Sequence, residues 1–395
     1  MLKINIEDLK KGMTVLKCDK EWLNLPIFGK VLEDENYIDL MRNYGVKHVF
    51  VENNKVAQEI LNTNNKESDK QRLSDHFNLT LKDFLFFKEI YNELMDFVKK
   101  MFYALDTEEF LDETLLLRSC YTIENFASRT PTFALNLFEE SDDSDYLFKH
   151  SLNVAIFSSA LAKAMGYEDK KIQAITVGSL LHDIGMKKVP KEIYNKKGKL
   201  TKHEYFEIKK HPIYGFKLAQ NIKNIEPESL SVILEHHERS DGTGYPRGLK
   251  EDKISALGKI TAITDTYDAL TSHRAYKENI SHREAFNIIF SWSGEHFNSI
   301  LAKFFLNMLR PYPVGTVVKL DTGEYGVVFE NNPNDVNAPK VLLVDPEDNS
   351  NVTLYDLSSY NIVNKKPYKK IESVLSDKAT GIKPAEVIEH FLRSK

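Results

Sequence analysis

Seven successive segments with apolar residues at i, i+3 and i+4 constrain this chain most. They lie around 115–138, 146–166, 170–184, 202–221, 227–239, 254–271 and 282–307. Each carries one apolar stripe, the pattern of a helix that buries a single face. Gly166, Gly185 and Gly294 fall near their ends, where a left-handed residue closes a helix. The run predicts an all-α domain over 108–310.

The pattern differs on either side. Residues 1–65 read as a small mixed α/β domain, with strands at "MTVLKC" and "VKHVFVE" and a helical "YIDLMRNYG" between them. A polar stretch, "NTNNKESDKQRLSD" (62–75), reads as linker. It falls in a segment, 66–107, of linker plus helix, whose stripe is Phe84, Phe87, Tyr91, Leu94, Val98, Met101 and Phe102. That stripe needs a partner, either within its own chain or across a homodimer. "PYPVG" (311–315) ends the helical pattern. Beyond it "TVVKL", "YGVVFE", "KVLLVD" and "NVTLYDL" alternate with turn-forming residues. Residues 311–395 are therefore expected to form a β-rich unit, strands at 314–365, with a terminal helix. The fold class is mainly α and multi-domain: a helical bundle core between two small sheet-containing units.

The net charge of −5 gives no basic surface for nucleic acid. The N-terminal residues lack the apolar core of a signal peptide, and no apolar run approaches a bilayer-spanning length. The expectation is a cytoplasmic protein without a membrane partner. Cys18 and Cys120 are far apart and show no metal-type spacing, so they read as buried thiols.

Of 12 histidines, nine lie between His150 and His296. They fall in small groups with carboxylates: His150 in "FKHSLNVA", His182-Asp183 in "SLLHDIGM", His211 in "KKHPIYG", His236-His237 in "LEHHERSDGTGYP" and Asp265 in "TAITDTYDAL". Imidazole plus carboxylate without thiolate suits iron, manganese or zinc. A helical bundle assembles such ligands from several helices. Each group alone has a plainer reading: a hydrogen-bonded core histidine, a chance His-Asp pair, a helix start before Pro212, a cap at Asp265. The segment 187–210 carries nine lysines against three glutamates. It reads as a positive rim that steers an anion, or as a solvated loop.

The ordered set "HSLNVA", "LHDIG", His211-Pro212 with Tyr214-Gly215, "HHERSDGTGYP" and "ITDTYDALTSHRAYK" resembles the HD-GYP domain, a branch of the HD metal-dependent phosphohydrolase superfamily. The resemblance covers roughly 140–300. It implies a helical domain that binds metal ions, commonly iron or manganese, and hydrolyses cyclic di-GMP. It implies His150, His182, Asp183, His211, His236, His237 and Asp265 as metal ligands, with Asp183 bridging two ions. It places Gly244 and Tyr245 at the lip of a cyclic-dinucleotide site, and Arg274 and Lys277 on the substrate phosphates. Two metals 3.5–4 Å apart suit phosphodiester hydrolysis by water, with no Ser or Cys nucleophile.

Two positions depart from the family pattern. The lysine often found three residues after the HD aspartate is here Met186, with Lys187 and Lys188 next. A thioether donates no proton, so Lys187 joins His182 and Asp183 as a catalytic candidate. The glutamate that some members place four residues before the first histidine is here Tyr146, which leads to an expectation of two divalent ions, iron or manganese. The function expected is a phosphodiesterase cleaving cyclic di-GMP to pGpG, with a second step to GMP left open. The alternatives are a cyclic GMP-AMP phosphodiesterase and a weakly active cyclic-dinucleotide sensor or scaffold.

Overall fold

The structure, a computed structural model, describes residues 2–18, 30–32, 38, 41, 46–52, 81–104, 113–129, 145–194, 196, 198–272, 280–332, 335–361, 366–367, 369–375 and 377–394. The chain divides into two compact units, residues 1–78 with 162–168 and residues 79–161 with 169–395.

The first unit holds an antiparallel sheet of order β1-β4-β2-β3, made of β1 (Leu2–Asn5), β2 (Thr14–Cys18), β3 (Lys30–Val31) and β4 (His48–Val51). Ile4, Val15, Val49 and Val51 are buried on it. Of the helix expected at "YIDLMRNYG", Ile38 and Met41 are described, both helical and buried. The polar stretch 62–75 lies outside the described residues.

The second unit begins with α1 (Leu81–Ala104). All seven residues of its predicted stripe are buried, and the cover comes from the same chain. Phe87 and Tyr91 meet Phe126 of α2 (Glu113–Arg129), and Phe102 meets Phe148 of α3 (Tyr146–Ala164). The stripe is thus satisfied without a homodimer.

There follow α4 (Asp169–Leu180), a 3-10 turn (Ile184–Lys188), α5 (Lys191–Tyr194), α6 (Lys202–Ile208), α7 (His211–Ala219), α8 (Pro227–Glu235), α9 (Ala256–Thr271), α10 (His282–Ser291) and α11 (Ser299–Leu309). The single helix expected over 202–221 is two. Pro212 sits in the first turn of α7, where its missing N–H and fixed φ are tolerated; deeper in a helix they would break it. The helix expected over 282–307 is likewise two. Asn298 caps α11 by accepting from the N–H groups of Ile300 and Leu301. No helix among the described residues is long and apolar enough to cross a membrane.

The β-rich unit packs into this same second body. Strands β5 (Val317–Leu320), β6 (Tyr325–Glu330), β7 (Lys340–Asp345), β8 (Asp348–Asp356) and β11 (Ile371–Leu375) form an antiparallel sheet of order β11-β5-β6-β7-β8. The short β9 (Tyr360–Asn361) and β10 (Lys366–Pro367) pair separately. After α12 (Asp377–Thr380), α13 (Pro384–Arg393) buries Val387, Ile388, Phe391 and Leu392, and Phe391 meets Phe329 of β6 edge to face.

Candidate metal centre

Four helices and one turn converge on the candidate metal site. His150 comes from the first turns of α3, and His182 and Asp183 from the bend between α4 and the 3-10 turn. His211 opens α7, His236 and His237 close α8, and Asp265 lies midway along α9. Gly185 allows the close approach. A Cβ there would collide with the His211 carbonyl and the Gly215 N–H, so only glycine lets the His182-Asp183 bend pack on the start of α7.

The seven predicted ligands meet in two groups, Asp183 with His211, His236 and His237, and His150 with His182 and Asp265. Within each group the candidate ligand atoms all lie within 4.8 Å of one another. Asp183 joins the groups. Its Oδ1 lies 3.1 Å from His211 Nε2 and 3.9 Å from His236 Nε2. Its Oδ2 lies 3.6 Å from His182 Nε2 and 3.8 Å from His150 Nε2. Asp265 does the same, with Oδ1 3.1 Å from His150 Nε2 and Oδ2 3.4 Å from His237 Nδ1.

Outer contacts set which nitrogen of each ring faces inward. The Nδ1–H groups of His182, His211 and His236 donate to the carbonyls of Ser179, Ile208 and Ile233 at 2.6, 2.7 and 2.8 Å. His150 Nδ1 donates to Asp268 Oδ2 at 2.7 Å. Each Nε2 therefore faces the cluster, with a free lone pair wherever the ring is neutral. Yet His211 Nε2 and His236 Nε2 stand 3.1 Å apart, and His150 Nε2 and His182 Nε2 3.3 Å apart. Two lone pairs at such distances repel unless a proton or a metal cation lies between them. The donor set therefore fits metal ions.

Charge follows the same logic. Burial lowers the pKa of His182, and drives those of His236 and His237 well below the usual imidazole value, so these rings are neutral, as ligation requires. Burial would also lower His150, but Asp265 and Asp268 outweigh it and lift that ring to about 10, so ligation there must displace a proton. Burial works against the charge on Asp183 and Asp265 too. His182 and His211 beside the first, and His150 beside the second, still hold both below the ordinary carboxylate range.

Several contributors went unpredicted. Asp268 accepts from His150, from Asn153 Nδ2 (2.9 Å) and from Ser272 Oγ (3.0 Å), while the Tyr91 hydroxyl of α1 donates to Asn153 Oδ1 at 3.0 Å. The buried Glu238 carboxylate accepts from the Arg247 and Leu249 N–H groups at 2.8 Å each, which folds the Gly-Tyr-Pro loop back on His237. Glu235 takes the Arg247 guanidinium and the Ser255 N–H at the start of α9. The available signals were the Asp265–Asp268 spacing, one helical turn, and the glutamates flanking the double histidine.

The remaining candidates fall as follows. The Tyr245 ring lies 4.6 Å from that of His237, at the edge of the metal site. Gly244 packs so tightly that a Cβ would strike the Arg239 N–H and lie 2.5 Å from Glu238 Cα. Tyr146 stacks on His150 at 5.4 Å and 11°. The Lys187 ammonium lies over the rings of Phe102 and Tyr103, 5.9 and 5.7 Å from their centroids. Arg274 and Lys277 lie outside the described residues.

The helical bundle thus carries at its heart a two-group His/Asp cluster that could hold metal ions. Residues 139–301 match the HD domain family, and the Gly-Tyr-Pro loop, Gly244 to Pro246, lies within that match. Residues 1–109 match a domain of unknown function, DUF3391. A cyclic di-GMP phosphodiesterase of Pseudomonas aeruginosa is 37% identical over 213 residues, 54% of this chain and 51% of that protein. One from Thermotoga maritima is 37% identical over 175 residues, 44% of this chain and 47% of that protein. A 3'3'-cGAMP-specific phosphodiesterase of Vibrio cholerae is 38% identical over 150 residues, 37% of this chain and 34% of that protein. The chain thus spans about half the length of the first two relatives.

Proposed function

We propose that this chain is a metal-dependent phosphodiesterase that opens cyclic di-GMP to pGpG and carries it on to GMP, acting in the bacterial cytoplasm where that messenger is made. The observation that carries the reading is Asp183, whose two oxygens face two separate groups of imidazoles beside the Gly-Tyr-Pro loop. The reading takes two divalent ions, iron or manganese by the oxygen and imidazole character of the ligands. One ion would be held by His150, His182 and Asp265, the other by His211, His236 and His237, with Asp183 available to both. Such ions, when bound, polarise a phosphodiester and acidify water towards neutral pKa.

The chain's own residues do the rest. The Ser179, Ile208 and Ile233 carbonyls and Asp268 keep the imidazole lone pairs pointed inward. The Tyr245 ring walls the His237 side of the site. Arg274 and Lys277 are assigned to the substrate phosphates as a planar fork and a point charge. Lys187 is assigned as proton donor to the leaving oxygen, a role for which it must leave the rings of Phe102 and Tyr103.

A second reading, hydrolysis of cyclic GMP-AMP, draws on the similarity to the 3'3'-cGAMP-specific relative. Turnover of both dinucleotides by protein purified anaerobically and loaded with Fe(II) or Mn(II), with products resolved by chromatography, tests both. Conversion of cyclic di-GMP to pGpG or GMP at the higher rate supports the first. Faster turnover of cyclic GMP-AMP favours the second. Stoichiometric metal with no turnover of either would leave a dinucleotide sensor.

A further inference from the structure

Lys209 stands in the two-residue break between α6 and α7, directly before the helix that opens with His211. Its ammonium lies 4.8 Å from the centroid of the Tyr205 ring and 5.3 Å from that of Tyr245. Tyr245 in turn lies 4.6 Å, ring to ring, from His237 and 6.3 Å from His211. A single aromatic ring therefore separates a fixed positive charge from two imidazoles of the metal site.

The lysines around it are engaged differently. Lys196 pairs with Glu204 at 2.7 Å and Lys210 with Glu207 at 2.6 Å. Lys209 has no carboxylate partner among the described residues. Attraction to a ring face holds an ammonium in place without using up its three N–H donors. Tyr205 beside it is 49% exposed. An open aromatic ring next to a fixed cation matches a purine nucleotide, with the base on the ring and a phosphate oxygen on the ammonium. A cyclic dinucleotide has two phosphates, and only one can be under attack at a time. The other phosphate and a base must rest outside the metal site.

We propose that Lys209 and Tyr205 form an outer subsite for the half of the dinucleotide that is not being cleaved, Lys209 taking its phosphate and Tyr205 its purine. This rests on the cyclic-dinucleotide reading given above. The subsite sets affinity and selectivity for dinucleotides over small phosphodiesters and leaves the bond-breaking step to the metal ligands.

The test compares cyclic di-GMP with bis(p-nitrophenyl) phosphate, which has one phosphate and no purine, on the full chain loaded with Mn(II). Lys209→Met should lower the ratio of kcat/KM for cyclic di-GMP over the small diester about tenfold, chiefly through KM, and Lys209→Arg should restore most of it. Tyr205→Leu should lower the ratio by about the same factor. A ratio that stays within about twofold of the parent in Lys209→Met overturns the subsite. Should the parent cleave the small diester and not cyclic di-GMP, the phosphodiesterase reading fails separately. The subsite is then read from cyclic di-GMP as a competitive inhibitor of small-diester hydrolysis. An inhibition constant raised about tenfold by Lys209→Met supports it, and an unchanged constant or no inhibition overturns it.

Discussion

Oδ2 of Asp268 lies 2.7 Å from Nδ1 of His150, and this contact decides which nitrogen of the first ligand imidazole faces the metal site. The carboxylate also orders a path outward, through Asn153 to the hydroxyl of Tyr91 on α1. Asp268→Asn keeps the shape and removes the charge that fixes the tautomer. Metal affinity should fall about 10–100-fold. Metal content after dialysis against a graded chelator checks this, and unchanged retention would show that His150 is oriented by packing alone.

Asp183 is the one carboxylate whose two oxygens lie near four of the five ligand imidazoles. Asp183→Ala and His182→Ala should each lower bound metal and abolish turnover, with far-UV circular dichroism nearly unchanged because the helices pack on other residues. Full activity at unchanged metal content would sink the site assignment.

Much of this centre is legible in the sequence, because its ligands are rare residue types in short fixed contexts and the helices around them have clear apolar stripes. The seven predicted ligands fall together as two groups. The illegible parts have physical reasons. The breaks inside 202–221 and 282–307 turn on a single proline and a single asparagine cap, which local periodicity averages away. Asp268, Glu235 and Glu238 are ordinary acidic residues until the fold brings His150, Ser255 and the loop N–H groups to them. Lys187 reads as a site residue from its neighbours, yet its ammonium lies over the rings of Phe102 and Tyr103 on α1, far away in the sequence.

Gly244 precedes the tyrosine that walls the site. A methyl group there would meet the backbone of Arg239 and Glu238 and lie 2.6 Å from the His237 carbonyl oxygen, the acceptor of the Tyr245 N–H. Gly244→Ala must push the loop outward at a cost of about 1–3 kcal/mol. We expect kcat/KM for cyclic di-GMP to fall about tenfold or more with bound metal retained. Wild-type kinetics would place Tyr245 outside the substrate path.

His282 supplies a pH dependence away from the metal ligands. Burial lowers its pKa to about 4, and its Nδ1 accepts from the Tyr267 hydroxyl at 2.8 Å. The folded value lies below the unfolded value of about 6.5. The stabilisation from keeping this ring neutral is therefore fully present above about pH 6.5 and is lost as pH falls towards 4. The side chain is only partly buried, so we expect roughly 2 kcal/mol rather than the full amount implied by the shift. Urea unfolding at pH 7 and pH 4.5 should show His282→Gln losing less stability on acidification than the parent. Equal losses would mean that other groups carry the acid sensitivity.

Met186 occupies the position where the HD-GYP pattern that the sequence resembles often has a lysine. Its N–H donates to the Asp183 carbonyl at 2.9 Å in the 3-10 turn, so it is tied directly to the residue that joins the two metal groups. Successive side chains on such a turn diverge by about 120°, so residues 186 and 187 cannot face the same way. Lys187 faces Phe102 and Tyr103. If proton delivery to the leaving oxygen limits the rate, Met186→Lys should raise kcat, with an upper bound near the ~10²–10⁴-fold value of a general acid. The pH–rate profile should also gain an alkaline limb from the new amine. An unchanged or lower kcat would mean that this chain already delivers the proton by another route. Lys187→Met then decides between its two sources: a fall in kcat assigns the proton to Lys187 lifted off its rings, and no fall assigns it to water.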